Sequence, residues 1–472
     1  MVSRPTVLAY GFGAVAFGVK DNGFSYLLLL YYDQVLGLPG ALAGFAIFSA
    51  LLVDAIFDPI VGYASDHLHS RWGRRHPLMY AAALPVAASY FLLWNPPSGL
   101  GTGALFAWLL GISIGVRMLI TLYETPSTAL VAELTGDYDE RTHMLSLRYM
   151  FGWWGGLTVA VLAYRYFLPS GGGQLAAPGY HTYGRVASLI MLVSMLASAL
   201  GTHHEIPRLR QPPPARLAGV GAALRELVET LSNRSFLSLF AGAITYAMAA
   251  GLAASLSIYI YTYVWEFDSL AISYLNLPYF LSALVAAVLA PALARRIGKK
   301  AAAISTSIAA LVMAPLPLTL RLLGLFPANG SHALFGTLMV LYPIEVVLIV
   351  MSTALVSAMV ADVVEESELA TGRRSEGVFF AARSFAYKSV SGLGLFASSL
   401  LLGAVGFPEH TTSASDVPHA VIVRLCIAYI AVVVAAYGLS VMFYARYRIS
   451  RAGHADNLKR LAERGAVSGA AS

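Results

Sequence analysis

The sequence predicts an all-α polytopic membrane protein of twelve transmembrane helices in two six-helix halves. Of its 472 residues, 58% are hydrophobic and 12% charged. A soluble globular chain carries about 25% charged residues, so too little polar surface is present to cover a water-facing particle of this size. The apolar runs are long and do not alternate, as in Ala187–Leu200, Ala301–Leu320 and Val421–Tyr437. A spanning helix needs about 20 such residues, whereas a membrane strand needs about 10 of alternating polarity. The longest polar segment, 203–233, falls between the sixth and seventh runs. These features exclude an ordinary cytosolic enzyme and a disordered chain, which needs low hydrophobicity. Cys426 is the sole cysteine, so a disulfide-stapled secreted domain is excluded too.

The first half reads as spans at 7–32, 40–64, 77–95, 102–126, 145–167 and 184–202. Each can satisfy its backbone hydrogen bonds internally, as hydrocarbon requires. Gly11-x-Gly13 lies inside the first span and reads as close helix packing rather than a dinucleotide loop. Arg4 is a thin basic region and no small-residue stop follows the first apolar run, so no cleavable signal peptide is expected. The connection 203–233 holds Pro207, Pro212, Pro213, Pro214 and an amphipathic stretch, Leu217–Leu231. The second half continues with spans at 235–264, 270–293, 301–323, 333–361, 377–404 and 419–445. The expected domains are a six-helix bundle over 1–202, a middle loop over 203–233, a second bundle over 234–446 and a tail over 447–472.

Lys and Arg set the orientation. They crowd the connections on the N-terminal side, as in Arg71, Arg74 and Arg75, then Arg208 and Arg210, then Arg295, Arg296, Lys299 and Lys300, and the tail. The opposite loops, 33–39, 95–101, 168–183, 265–269, 324–332 and 405–418, contain none. Both termini are therefore expected in the cytoplasm. The same asymmetry accounts for the net charge of +6. These charges lie in loops beside anionic lipid, so a bilayer partner is expected and a nucleic acid is not.

Span two ends in Gly62-Tyr-Ala-Ser-Asp66 and a loop Arg71-Trp-Gly-Arg-Arg75. Span eight, second in its half, ends in a similar glycine-containing basic loop, Arg295-Arg-Ile-Gly-Lys-Lys300. Parallel six-helix repeats of this kind belong to transporters that rock two halves about a midplane site. The first loop resembles the cytoplasmic signature of the major facilitator superfamily. Asp66, Arg71, Arg74 and Arg75 are read as a gating loop, an interdomain latch rather than substrate ligands.

Ionisable residues at membrane depth cost at least about 2.5–3.5 kcal/mol each at a helix centre, so each is a functional candidate. Span one holds Lys20 and Asp21, span two Asp54 and Asp58, span four Arg117, Thr121 and Glu124. Span five holds Arg148, span ten Glu345, span eleven Arg383 and Lys388. Asp54 and Asp58 are one turn apart and share a face. Two carboxylates side by side repel, so at least one should hold a proton or a cation. The alternative is a fixed network in which Lys20 or Arg117 pairs with them.

Gly11-Phe-Gly-Ala, Lys20-Asp21, Tyr31-Tyr32-Asp33, Asp54-Ala-Ile-Phe-Asp58-Pro59 and Ser70-Arg-Trp-Gly73 together resemble the glycoside–pentoside–hexuronide:cation symporters of melibiose-permease type. So do Tyr123-Glu124-Thr-Pro126, Asp139-Glu-Arg141, Ala361-Asp362-Val-Val364, and Glu376 followed by Lys388. The resemblance covers roughly residues 8–450. It implies a cation site at Asp54 and Asp58 with the Thr121 hydroxyl, and a coupling lysine at Lys388. It implies sugar-binding carboxylates at Asp21, beside Lys20, and Glu124, and a sugar-contacting arginine at Arg148. Two positions depart from the pattern. Phe57 stands where the type member has Asn, which favours proton over sodium coupling. Thr128 stands where an aromatic packs on the sugar ring, a part that Tyr123, Trp153 or Trp154 could take.

Other features read as structural. His67, His69, His203 and His204 have no Cys nearby and are expected as loop residues, not a metal site. Tyr259, Tyr261, Tyr263 and Trp265 read as an interfacial aromatic belt. No Walker A, Gly-x-Ser-x-Gly or His-Glu-x-x-His occurs. The expected function is cation-coupled uptake of a sugar or glycoside by a monomer in a plasma membrane, that of a bacterial inner membrane. It has H+ or Na+ as coupling ion and no cofactor. The alternatives are lysolipid transport, performed by some animal relatives of this fold, and a membrane-embedded enzyme using Asp54 and Asp58.

Overall fold

The computed structural model describes residues 2–209, 234–371, 376–447 and 463. The expected amphipathic stretch Leu217–Leu231 and most of the tail 447–472 lie outside them. Among the described residues the secondary structure is helical throughout, without a strand. Helical segments stand at each of the twelve expected places. Nine described helices are long and apolar enough to cross a membrane by themselves.

The other three places differ for separate reasons. Span one is broken into Arg4–Phe12 and Ala14–Asn22, followed by π-helical turns at Gly23–Leu27 and Tyr31–Val35. Span five begins among charges, Tyr138–Leu162 carrying Asp139, Glu140, Arg141 and Arg148 before a π turn at Ala163–Phe167. Span eleven, Glu376–Ala404, is described in full only over Val390–Ala404.

Glycine explains how closely span one lies against span five. A Cβ on Gly18 would run into the Gly152 carbonyl, and one on Gly156 would meet Gly18 and the Asn22 side chain. The two backbones therefore touch directly, as small residues allow inside a membrane. Gly11 serves the same end, since a Cβ there would meet Phe151, whereas one on Gly13 would meet the Tyr123 hydroxyl of span four and Ser198 of span six. Gly18→Val is expected to destabilise the folded chain by about 3 kcal/mol, the upper end of overpacking costs. Thermal unfolding in detergent would show this as an earlier transition. Gly111→Val should leave it in place, since nothing lies within 4 Å of a Cβ there.

The chain packs as two compact units. The first comprises Met1–Ala215, Gly251–Phe280 and Gly392–Leu425. In it, Gly40–His67 lies against Thr102–Ala129, and His76–Trp94 against both Thr102–Ala129 and Ala177–His203. A buried aromatic cluster fills one end: Tyr31 stacks on Tyr180 at 4.7 Å, and Trp94 on Tyr180 at 6.0 Å. The phenol groups are satisfied, Tyr31 donating to the Trp94 carbonyl, Tyr32 to that of Leu93 and Tyr180 to that of Gln174.

A polar knot ties part of span seven and the loop after span eleven into this unit. Tyr259 donates to Asp33 at 2.6 Å, and Gln34 donates to Asp33 and to the Pro408 carbonyl. Thr411 and Tyr263 both reach the Gln34 side-chain oxygen. Tyr259, Tyr263 and Trp265 are fully buried, which corrects their reading as an interfacial belt. The reason is hydrogen bonding: phenol groups that find a carboxylate and an amide inside need no headgroup water.

The second unit comprises Arg216–Ala250, Leu281–Ser391 and Cys426–Ser472. Its core is small residues against large ones: Ala286, Ala290, Ala302 and Ala303 facing Phe236, Met351, Leu355, Met359 and Tyr444. Span ten, His332–Thr371, runs 40 residues. At about 1.5 Å per residue that is roughly 60 Å, twice the hydrocarbon thickness.

Candidate substrate and ion site

Span two and span four bring the predicted cation residues together. Asp54 and Asp58 lie one turn apart, as do Arg117 and Thr121, so facing turns present two carboxylates to a hydroxyl and a guanidinium. The Thr121 Oγ1 lies 2.7 Å from Asp54 Oδ1 and 3.1 Å from Asp58 Oδ1. A hydroxyl has one hydrogen to donate. Only one carboxylate can receive it at a time, so the two compete for this hydroxyl. Arg117 Nη1 stands 3.5 Å from Asp54 Oδ2, with its guanidinium 4.4 Å above the Phe24 ring. Asp54 is 1% exposed and Arg117 4%, whereas Asp58 is only half-buried. A carboxylate and a guanidinium buried this deeply are tolerated because they face each other.

The substrate-binding candidates divide into two groups. Lys20 Nζ pairs with Asp21 Oδ1 at 2.9 Å, the lysine buried and the aspartate side chain 44% exposed. Lys20 also lies 4.4 Å over the Phe17 ring. Phe24, under Arg117, follows Asp21 by three residues, so the Lys20–Asp21 pair stands about one turn along span one from the ring that seats Arg117. Glu124 is half-buried. Arg148, by contrast, is buried with its Nη1 donating to Ser127 Oγ at 2.9 Å and lying 3.5 Å from the Tyr10 carbonyl. Tyr123 is buried at 1% exposure, its hydroxyl against Gly13. Trp153 and Trp154 donate their indole N–H groups to the Tyr279 and Phe280 carbonyls. Those carbonyls lie just after the break at Asn276–Tyr279 in span eight. Lys388 falls on Glu376–Ala404, and its side chain lies outside the described residues.

The gating loop closes on a residue the sequence reading missed. Arg75 Nε meets Glu133 at 2.7 Å and its Nη2 meets Asp66 at 2.6 Å. Arg75 Nη1 donates to Ser65, and Arg74 joins Glu133 at 2.9 Å. Arg71 takes no part in this network and lies over Trp72. Glu133, 4% exposed, sits just past span four, in Val131–Leu134. The second unit repeats the device: Lys299, after span eight, pairs with Asp362 near the end of span ten. Second-to-third connection against fourth span is the same pairing in each half, which gives the internal repeat a geometric form. Outside the membrane, Glu140 is held below the usual carboxylate range by hydrogen bonds from the Thr135 hydroxyl and the Val2 N–H. Among the described residues no group of three or more His, Cys, Asp or Glu converges as a metal set.

A family described as MFS/sugar transport protein matches residues 9–451. The chain belongs to that family. It is a multi-pass membrane transporter with a small-molecule substrate, so the enzyme alternative falls away. The isoprimeverose transporter of Lactiplantibacillus pentosus is 24% identical over 451 residues, covering 96% of this chain and 90% of its own length. A glucuronide carrier protein homolog of Escherichia coli is 22% identical over 430 residues, covering 88% of this chain and 87% of its own. Among solved structures, the xylose transporter XylE of E. coli in an inward-open conformation is 15% identical, with a TM-score of 0.63 over 96% of this chain and 98% of that one. That likeness shows the shared fold.

Proposed function

We propose that this family member is a cation-coupled symporter of a sugar or glycoside, working by alternating access, with a proton as the coupling ion. The observation that carries the reading is the single Thr121 hydroxyl shared by Asp54 and Asp58. Two carboxylates that meet at one hydroxyl change the charge of the site when a cation enters, and such a change biases one access state over the other. The names of the relatives support a sugar as substrate class. Phe57 supports the proton, since an apolar ring adds no oxygen where sodium wants several.

Asp21 and Glu124 accept the sugar hydroxyls, with Lys20 holding Asp21 in place, and Lys388 links the two events from span eleven. Arg148 and Tyr123 act behind the site as supports, because their polar groups face Ser127, Tyr10 and Gly13. Trp153 remains the aromatic offered to a sugar face, the residue 39% exposed even while its N–H is engaged. The halves 1–202 and 234–446 rock as repeats, with both termini in the cytoplasm of a bacterial cell and the monomer as working unit; Asp66, Arg74 and Arg75 brace the first half through Glu133 and Ser65.

Purified protein in sealed vesicles, offered a panel of glycosides with and without imposed proton and sodium gradients, tests this. Gradient-driven accumulation of one or more glycosides is expected. Movement of lysolipids alone, with every glycoside excluded, would replace the sugar reading with the amphiphile one.

A further inference from the structure

The charge of the ion site depends on Arg117, a residue that is not among those carrying the family resemblance. Asp54 and Asp58 contribute two negative charges, and Arg117, which stays protonated inside proteins, contributes one positive charge at 3.5 Å from Asp54. We propose that Arg117 is a specificity-determining residue, a built-in cation that leaves the site one charge from neutral, so that it accepts a single proton and turns sodium away. This rests on the reading of Asp54 and Asp58 as the coupling site.

The geometry supports each part. Phe24 holds the guanidinium from one side at 4.4 Å, a favourable seat for a desolvated cation. Arg117 Nε has no hydrogen-bond partner among the described residues, although the side chain is 5% exposed. The guanidinium therefore keeps donor capacity in reserve and can close on Asp54 when the site loses its proton. A proton needs only Asp58 and the Thr121 oxygen, already 3.1 Å apart. The guanidinium repels a proton and a sodium ion alike, but sodium needs several oxygens at once and would have to recruit Asp54, which Arg117 already engages. The other charged groups near the site are Glu124 on span four and the Lys20–Asp21 pair on span one, which neutralises itself. Span eleven, packed on span two where Gly392 meets Leu51, carries Arg383 and Lys388, whose side chains lie outside the described residues.

Binding of radioactive sodium to the purified full chain, with no substrate added, tests the inference. The wild type and Arg117→Lys are expected to bind no sodium saturably. Arg117→Met, which frees Asp54 from the guanidinium, should gain saturable sodium binding, and Arg117→Met with Asp58→Asn should lose it again. Saturable sodium binding by the wild type or by Arg117→Lys overturns the inference. So does a folded Arg117→Met that gains none. Should Arg117→Met fail to fold, the wild-type and Arg117→Lys titrations decide. If Asp58→Asn still concentrates substrate, the coupling reading falls and this inference with it. If Asp58→Asn uncouples transport while folded Arg117→Met gains no sodium, the Arg117 inference alone falls.

Discussion

Asp58→Asn is expected to bind substrate and equilibrate it across the membrane while losing all accumulation against a gradient, so that the inside-to-outside ratio falls to about one. The amide keeps the size of the carboxyl and can still hydrogen-bond Thr121, so the fold should survive. What it cannot do is change charge when a cation enters, and without that change ion and substrate movements are no longer linked. Asp54→Asn should be harsher on stability. Asp54 is 1% exposed and faces Arg117, and removing one partner of a buried pair strands the other at about 3–5 kcal/mol. The measurement is uptake against counterflow in the same vesicles: counterflow retained and gradient-driven uptake lost in Asp58→Asn. Full concentrative uptake by this variant removes Asp58 from the coupling role.

Asp21→Ala and Glu124→Ala are each expected to weaken substrate binding by roughly ten- to hundredfold. A hydrogen bond from a sugar hydroxyl to a carboxylate contributes about 1.5–3 kcal/mol, and about 1.4 kcal/mol is tenfold in affinity. Asp21→Ala carries a second consequence, because Lys20, 1% exposed, would lose its 2.9 Å partner. Asp21→Asn, which keeps a hydrogen-bond acceptor beside Lys20, separates the two effects. Isothermal calorimetry with the best glycoside from the panel reads them out. Unchanged affinity in both alanine variants takes these carboxylates out of the substrate site.

Much of this was legible in the sequence, and the physical reason differs from residue to residue. Long apolar runs fix helices because hydrocarbon leaves the backbone no other partner, and helical segments stand where the runs do. Asp54 and Asp58 could be paired in advance because one-turn spacing puts them on one face, whereas the Thr121 hydroxyl of span four joined them only through the family resemblance. Nothing local places Ser127 beside Arg148 or Glu133 beneath Arg74 and Arg75. Those contacts join positions separated by 21 and 59 residues and depend on how helices pack. Glu133 did carry a faint signal, an acidic residue just past span four opposite a basic loop, echoed by Asp362 and Lys299. The tyrosines of span seven misled because aromatic composition looks the same in a headgroup belt and around a buried carboxylate such as Asp33. The π turns of span one left no signature beyond its glycines. Arg117 was visible as a buried charge, but its partner was not, since Lys20 could equally have faced Asp54 and instead pairs with its neighbour Asp21.

The measurement that bears most directly on proton-coupled symport is the pH of a lightly buffered suspension of de-energised cells expressing the protein, followed as a transported glycoside is added. Substrate entering with protons should make the medium alkaline at once, the effect should vanish in Asp58→Asn, and added sodium should leave it unchanged. A transport rate that climbs about tenfold with sodium at fixed pH, with no proton movement, would contradict the account and require another oxygen to complete the site beside Phe57.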